Sequence, residues 1–454
     1  MIIIINISIW NDIKRRNYPT LNENKSVDVL IIGGGITGIN TLYNLKNTNL
    51  STILVEQSKI ASSVTANSTG KLSFLQNDLI DKIRNKCGDK LASIYLKSQK
   101  EGMEELANFI KKEKIECDLE SVDSIIYTNN EIEISKLENL KKFLEDNNIK
   151  TYTTKNSLIK SKYMFKVKNT YIFNPVKYTL ALANKCDNIY ENTRIKKIKK
   201  IGKYYECYTD NFMIKAKWVV IVSHYPYFII PYLFPIKNSL EKSYLSASNY
   251  NGNKISLISY SNPFISLRTY KNNLIYLSNS HNNETKTCDK QNFDELLKKL
   301  KDLNLKPDYL WSNIDIITND GLPCIGRIKD NILISTGYNT WGLITSFLSS
   351  KILKDIITNK SNSYIKVFNP YRKTLCNIKD IIKNICKNIT GYVNGFININ
   401  KKEDDTISKI CPHLGAKLIY NEVEGTWDCP CHGSRFNKDG KVVSGPANKD
   451  IKKY

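Results

Sequence analysis

The chain is 454 residues long, with 67 lysines and arginines against 44 aspartates and glutamates and a formal net charge of +23. That length predicts two or three domains with ample material for a core. Such a charge, when clustered, marks a nucleic-acid or membrane-surface protein. Here the lysines are spread among Asn, Ile and Tyr over the whole length, runs such as Lys196-Lys197-Ile198-Lys199-Lys200 read as solvated edges, and no nucleic-acid partner is expected.

Met1 to Trp10 is apolar but too short to cross a bilayer, and no basic segment precedes it, so no membrane span is expected. Arg15-Arg16 is followed by Asn17-Tyr18-Pro19-Thr20, where a twin-arginine export signal would carry an apolar stretch. Residues 1–26 are therefore expected to be a lead segment, a short strand or hydrophobic tuck, on a cytoplasmic protein. The eleven cysteines form no regular framework outside one C-terminal motif, which fits a reducing compartment.

Val27 to Ile32 is an apolar run of strand length, followed at once by Gly33-Gly34-Gly35-Ile36-Thr37-Gly38. A helical stretch (Ile39, Leu42, Leu45) and a second strand, Ser51 to Val55, come next, and Glu56 closes the unit. This is a βαβ dinucleotide fingerprint in its proper context. Gly33 permits the tight turn, Gly35 lets the backbone approach a pyrophosphate, and Gly38 lets helix and strand pack closely, with the phosphates at the helix N-terminus. Glu56 is placed to accept from ribose hydroxyls, and its charge argues against a 2′-phosphate. The fingerprint alone does not choose between FAD and NAD.

Asp78 to Lys114 carries an apolar stripe at helical spacing (Leu79, Ile83, Leu91, Ile94, Met103, Leu106, Ile110), which reads as core. Ser121 to Tyr127 reads as a strand, Glu131 to Asn147 as an amphipathic helix, and Phe173-Asn174-Pro175 as the start of another helix. Tyr204 to Tyr208 and Trp218 to Val222 read as strands, Leu240 to Asn279 as two or three more, and Phe293 to Leu303 as a helix. Asn331 to Ser335 reads as a strand that feeds a helix running to Ile357. His224, beside Tyr225-Pro226, reads as structural, and His281, in the polar stretch from Asn279, as solvated. Tyr364 to Phe396 reads as a linker with one helix (Ile378, Ile381, Ile385).

The far end carries Cys411-Pro412-His413-Leu414-Gly415 and Cys429-Pro430-Cys431-His432-Gly433-Ser434-Arg435-Phe436. Thiolate sulfur is soft and imidazole nitrogen borderline, so the pairs describe a mixed sulfur–nitrogen metal site. Zinc is one reading, with paired ligands usually two to four residues apart. Cys-x-His is tighter, and its side chains suit neighbouring irons, as in a [2Fe–2S] cluster with two cysteines on one iron and two histidines on the other. The segment resembles the Rieske family, including the Pro-Cys-His-Gly-Ser turn and the downstream Gly445-Pro446. That resemblance makes Cys411, His413, Cys429 and His432 the metal ligands. It also exposes departures. Ala416 stands where high-potential relatives have a cysteine bonded to the equivalent of Cys431, and Phe436 stands where they have a tyrosine that donates to a ligand sulfur, while Ser434 is kept. Lost donors leave more negative charge on the cluster and place its potential below the top of the Rieske range.

Three further stretches, Ser62 to Lys71, Asp320 to Arg327 and Thr336-Gly337 to Thr345, resemble the D-amino-acid-oxidase-like family of FAD oxidoreductases, over about Trp10 to Lys360. The nearest match is the branch with a C-terminal Rieske domain. The resemblance implies FAD held by Gly33, Gly35, Gly38 and Glu56 at its adenosine diphosphate half. Ser68 and Thr69 would lie along the middle, and Gly337, Gly342 and Thr345 at the flavin end. Arg268, within Ile265 to Tyr270, is implied as the binder of a substrate carboxylate. The expected fold is α/β, a Rossmann-like FAD-binding domain with an inserted α+β substrate domain and a small all-β Rieske domain. Its expected bounds are about 27–76, 150–230 and 317–365 for the nucleotide part and about 77–149 and 231–316 for the substrate part, followed by a linker over 366–394 and the Rieske domain over 395–454. The implied function is oxidation of a small amine, amino acid or related metabolite at FAD, with electrons leaving singly through the cluster to a one-electron acceptor. Two alternatives stand. The same parts run in reverse as a reductase would need NAD(P)H or a ferredoxin, and no second nucleotide fingerprint is present. An electron-transfer or redox-sensing subunit would have no amine substrate.

Overall fold

The apolar run after the lead segment becomes the central strand of a parallel sheet in the computed structural model, which describes residues 7–156, 158–225, 237–261, 264–278, 289–372, 382 and 407–453. β1 (Lys25–Ile32) pairs in parallel with β2 (Thr52–Val55) on one side and with strand Met213–Ile221 on the other, and α1 (Ile36–Leu45) makes the crossover between β1 and β2. Ile332–Thr336 continues the sheet beyond Met213–Ile221, Cys324–Lys329 closes that edge, and Ile189–Tyr190 closes the other. Val29, Leu30 and Ile31 are completely buried, which is why the sequence here is an unbroken apolar run and not an alternation. Small polar residues stitch α1 to the returning helix Gly342–Ile357: Thr37 donates to Ser346 Oγ at 2.9 Å and Asn44 to Ser350 Oγ at 2.7 Å.

A second, nine-stranded sheet lies beside it. Its order is Pro307–Thr318, Asn238–Asn249, Asn273–Ser278, Ile265–Tyr270, Ser256–Ser259, Glu120–Thr128, Tyr163–Ile172 and Lys71–Leu72, with Tyr152–Thr153 attached to Tyr163–Ile172. Residues 238–278 supply four strands where the alternation predicts two or three. The boundary expected near 150 also moves. Tyr163–Ile172 is antiparallel to Glu120–Thr128 and belongs to this sheet, so the nucleotide part resumes only after it, at helix Pro175–Ala183. The long apolar stripe of 78–114 is two helices, Leu79–Cys87 and Asp89–Lys112, because Gly88 adopts φ +83° between them.

A third sheet of four short antiparallel strands (Ile419–Asn421, Thr426–Asp428, Arg435–Asn437, Val442–Ser444) forms the C-terminal domain around Cys411, Ala416, Leu418, Cys429 and Phe436. Trp10 of the lead segment is fully buried and donates to Ser68 O at 2.8 Å, the tuck expected there. The linker begins with the one-turn helix Tyr364–Val367, and Arg372 then grips Asp320 through two hydrogen bonds of 2.7 and 2.8 Å. The linker helix expected at Ile378–Ile385 lies outside the described residues but for Ile382, as does the polar stretch with His281. No helix among the described residues is long and apolar enough to cross a membrane.

Candidate active site and metal centre

The glycine loop after β1 opens onto one long cavity. Gly33 has φ +120°, and a Cβ there would lie 2.8 Å from Val222 O, so only glycine makes this turn. A Cβ on Gly38 would lie 1.9 Å from Gly33 O; this glycine serves packing and does not line the cavity. A Cβ on Gly35 would meet only Thr65 Oγ1, at 3.3 Å, and would otherwise project into open space at the start of α1, where Thr65 Oγ1 accepts from Ile36 N at 3.1 Å. That is a cradle for an anion on a helix N-terminus. Glu56 closes it from β2, accepting from Gly34 N at 2.7 Å and Ser58 N at 2.8 Å. Burial raises its carboxyl above the ordinary value, against the pull of those two N–H groups. Ser68, Thr69, Gly337 and Gly342 line the same cavity further along; Thr345 does not, its hydroxyl donating to Trp341 O at 2.9 Å.

Beyond the glycines, one face of the nine-stranded sheet forms the cavity wall, with Ser243, Ile258, Ser266, Leu277, Asn313 and Asp315 contributed by five strands. Lys71 is buried at the edge of this wall and donates to Leu257 O and Ser266 Oγ, each at 2.7 Å. Desolvation, then the neighbouring Arg268 cation, pushes its pKa well below that of a free lysine. Arg268 is elsewhere. It is fully buried, its Nη1 donates to Gly70 O at 2.8 Å and Phe173 O at 3.0 Å, and the rings of Trp10 and Tyr270 each cover its guanidinium at 5.3 Å. It does not line the cavity: Nη1 is held by backbone carbonyls, Nε and Nη2 have no hydrogen-bond partner, and Trp10 of the lead segment covers the guanidinium, so the structure sets Arg268 away from the place that the carboxylate-binding role read from its strand requires.

The C-terminal ligand loops repeat one design. Gly415 N donates to Cys411 O at 2.9 Å and Gly433 N to Cys429 O at 3.0 Å, and both glycines have positive φ. The loops bring the thiols of Cys411 and Cys429 within hydrogen-bonding reach and set the rings of His413 and His432 at 90°, with centroids 5.1 Å apart. The four side chains thus separate into a sulfur pair and a nitrogen pair, and among the described residues no three potential ligands converge on a single-ion site. His413 Nδ1 is buried with no hydrogen-bond partner, as a nitrogen reserved for a metal would be. Burial holds His432 down to about 4 and lowers His413, so both imidazoles are neutral, the ligand form, at pH 7. Ser434 is buried and accepts from Ala447 N at 3.1 Å, and Cys431 packs against the buried cluster that includes Ala416 and Phe436, with its thiol within hydrogen-bonding reach of Cys429.

The two halves share their site. Gly433, Arg435 and Gly445 to Asn448 line the same cavity as Gly33 and Glu56. Tyr225 lines it too and sets its ring edge-on to His432, centroids 5.3 Å apart, following His224, which holds φ +66°. His224 also lines the cavity, and burial pushes its pKa down to about 4. Sequence reasoning read His224 as structural and gave no role to Tyr225, Lys71 or Asp315. The domains are joined by buried charge: Lys242 bridges Asp428 at 2.6 Å and Asp289 at 2.8 Å, and Arg435 bonds both Asp428 and Glu424. Glu424 in turn accepts from Ser312 N at 3.1 Å. Burial alone would raise Asp428, but Arg435 and Lys242 together hold its carboxyl well below the usual range.

The family model described as FAD dependent oxidoreductase matches residues 28–356, most of the chain. The chain belongs to the FAD-dependent oxidoreductase family. A second model, the Rieske [2Fe-2S] domain, matches residues 383–454. This FAD-dependent oxidoreductase is 28% identical to YhfW of Bacillus subtilis, provisionally named as a Rieske 2Fe-2S iron-sulfur protein, over 96% of this chain and 95% of that one. A stretch of 51 residues, 10% of this chain, is 49% identical to the cytochrome b6-f complex iron-sulfur subunit 2 of Cyanophora paradoxa, covering 21% of that one. Among solved structures, glycine oxidase from Geobacillus kaustophilus superposes with a TM-score of 0.63 at 16% identity, covering 77% of this chain and all of that one. L-amino acid deaminase from Proteus vulgaris superposes with a TM-score of 0.60 at 18% identity, covering 80% and 97%. These two share the fold of the oxidoreductase part. The open cradle at Gly35 fits FAD, and the orphaned His413 nitrogen beside the paired thiols fits a [2Fe–2S] cluster; these are the enzyme's cofactors.

Proposed function

We propose that this oxidoreductase removes two electrons from a small amine or amino acid at FAD and passes them one at a time through the Rieske cluster to an external acceptor. The observation that carries the proposal is the shared cavity: the nucleotide cradle, the polar wall of the nine-stranded sheet and the loop at Gly433 border one space, with Tyr225 against His432. FAD supplies a two-electron acceptor that can release electrons singly, and the cluster supplies a one-electron relay. The chain's own residues do the rest. Gly33, Gly35 and Glu56 position the nucleotide; Ser68, Thr69, Gly337 and Gly342 border its other half; the sheet wall orients the substrate's C–H bond and, with Trp341, shelters it from bulk water. Cys411, His413, Cys429 and His432 would hold the cluster, and Lys242 with Arg435 keeps its domain docked. The reading is supported by the solved structures that share the fold, among them a glycine oxidase and an L-amino acid deaminase. The proposal is tested by an anaerobic screen of amines and amino acids. A substrate should bleach the flavin absorbance and then produce the reduced-cluster EPR signal in the same sample. Flavin bleaching by NAD(P)H alone, with no response to any amine, would reverse the direction of electron flow and overturn the proposal.

A further inference from the structure

Across the ladder between Pro307–Thr318 and Asn238–Asn249, Asp315 stands directly opposite Glu241. Residues so placed share a face with Cβ atoms about 4.5–5.5 Å apart, and like charges there are destabilising. Asp315 lines the cavity, and its carboxylate accepts one hydrogen bond, from Asn313 Nδ2 at 2.9 Å. Asn313 is only 6% exposed, also lines the cavity, and its Oδ1 has no partner. Burial pushes Asp315 up to about 6; burial, then the Asp315 charge, pushes Glu241 up to about 7. Lys82, the cation that acts on Glu241, donates to Thr318 O at 2.9 Å.

Asp315 and Asn313 therefore present two acceptors to the cavity, a carboxylate and an amide oxygen, with the Ser243 hydroxyl opposite Asn313 as the neighbouring polar group. A substrate carboxylate, which also only accepts, would meet repulsion from both, whereas an ammonium group brings N–H donors and the compensating charge. Two separate acceptors call for two N–H bonds, which primary and secondary ammonium groups have and quaternary ones lack. We propose that Asp315 and Asn313 form the subsite for the substrate's cationic nitrogen, selecting primary and secondary amines. This rests on the amine-oxidation reading and adds to it the group that recognises the amine.

The test uses the FAD- and cluster-loaded full chain. Propylammonium, tetramethylammonium and propionate are titrated in turn, followed by perturbation of the oxidised flavin spectrum and by calorimetry. Propylammonium is expected to bind and the other two to bind at least tenfold more weakly; Asp315→Asn, nearly isosteric and uncharged, should weaken propylammonium at least tenfold at unchanged FAD content. Equal binding of the three ligands, preference for propionate, or unaltered propylammonium affinity in Asp315→Asn overturns the subsite. The ligand series on the unaltered protein keeps the test decisive if the variant loses FAD. The two readings fail separately. Propylammonium bound through Asp315 with no amine able to bleach the flavin leaves the subsite standing and removes amine oxidation. Amines that bleach the flavin with the same KM in wild type and Asp315→Asn do the reverse.

Discussion

At the scale of the residue, the unusual investment is buried charge of one sign. Glu241 faces Asp315 across the ladder, with Asp78 and Lys82 nearby at the start of helix Leu79–Cys87. Because burial raises its carboxyl to about 7, the folded protein holds this proton more tightly than the unfolded chain does. Its contribution to stability is therefore full below the unfolded value of 4.5 and is lost as pH rises towards 7. Thermal unfolding followed from about pH 5 to about pH 7.5 should show the wild type losing stability, with Glu241→Gln losing less, so that the variant gains a few degrees on the wild type only at the upper end. Parallel curves would mean that Glu241 is not held protonated by its surroundings. The same residue scale shows why cluster ligands were legible and the cavity wall was not. Cys-x-His and Cys-x-x-His are local patterns dictated by metal chemistry. Asp315 meets Glu241 only through strand register, and nothing in the residues flanking either one announces the pairing.

Elements set by local patterning were read correctly from the chain. β1, α1 and β2 follow from continuous apolar runs divided by glycines that sterics require, and Gly342–Ile357 from a strand-to-helix turn of the same kind. Where sheet membership depended on a distant partner, reading failed. Tyr163–Ile172 alternates as any half-buried strand would, and only its pairing with Glu120–Thr128 places it in the nine-stranded sheet. Arg268 misled in a similar way: its strand was right, but Trp10, brought in by the lead segment, encloses the guanidinium. The contact between domains is also an element-scale feature, built from Lys242 on one sheet and Asp428 on another. Replacing that lysine leaves Asp289 without its ion pair and Asp428 dependent on Arg435 alone. Lys242→Met should cost about 3–5 kcal/mol, measured as a lowered denaturant midpoint of the loaded protein. A loss below about 1 kcal/mol would show the bridge to be dispensable for docking.

At the scale of the molecule, the chain is an FAD-dependent oxidoreductase whose Rieske domain borders the cofactor cavity. His432 is buried towards Tyr225 and that cavity, whereas His413 is partly exposed next to Leu414, itself 44% exposed. The cluster site therefore has an inner and an outer imidazole, in keeping with electrons arriving from the flavin and leaving outward. The most direct measurement is stopped-flow comparison of the intact protein with a Cys411→Ser, Cys429→Ser variant that retains FAD but no cluster, using a substrate from the anaerobic screen and a one-electron acceptor such as ferricyanide. Substrate should bleach the flavin at similar rates in both proteins, and reoxidation by the acceptor should slow at least tenfold in the variant. Equal reoxidation rates would contradict passage of electrons through the cluster.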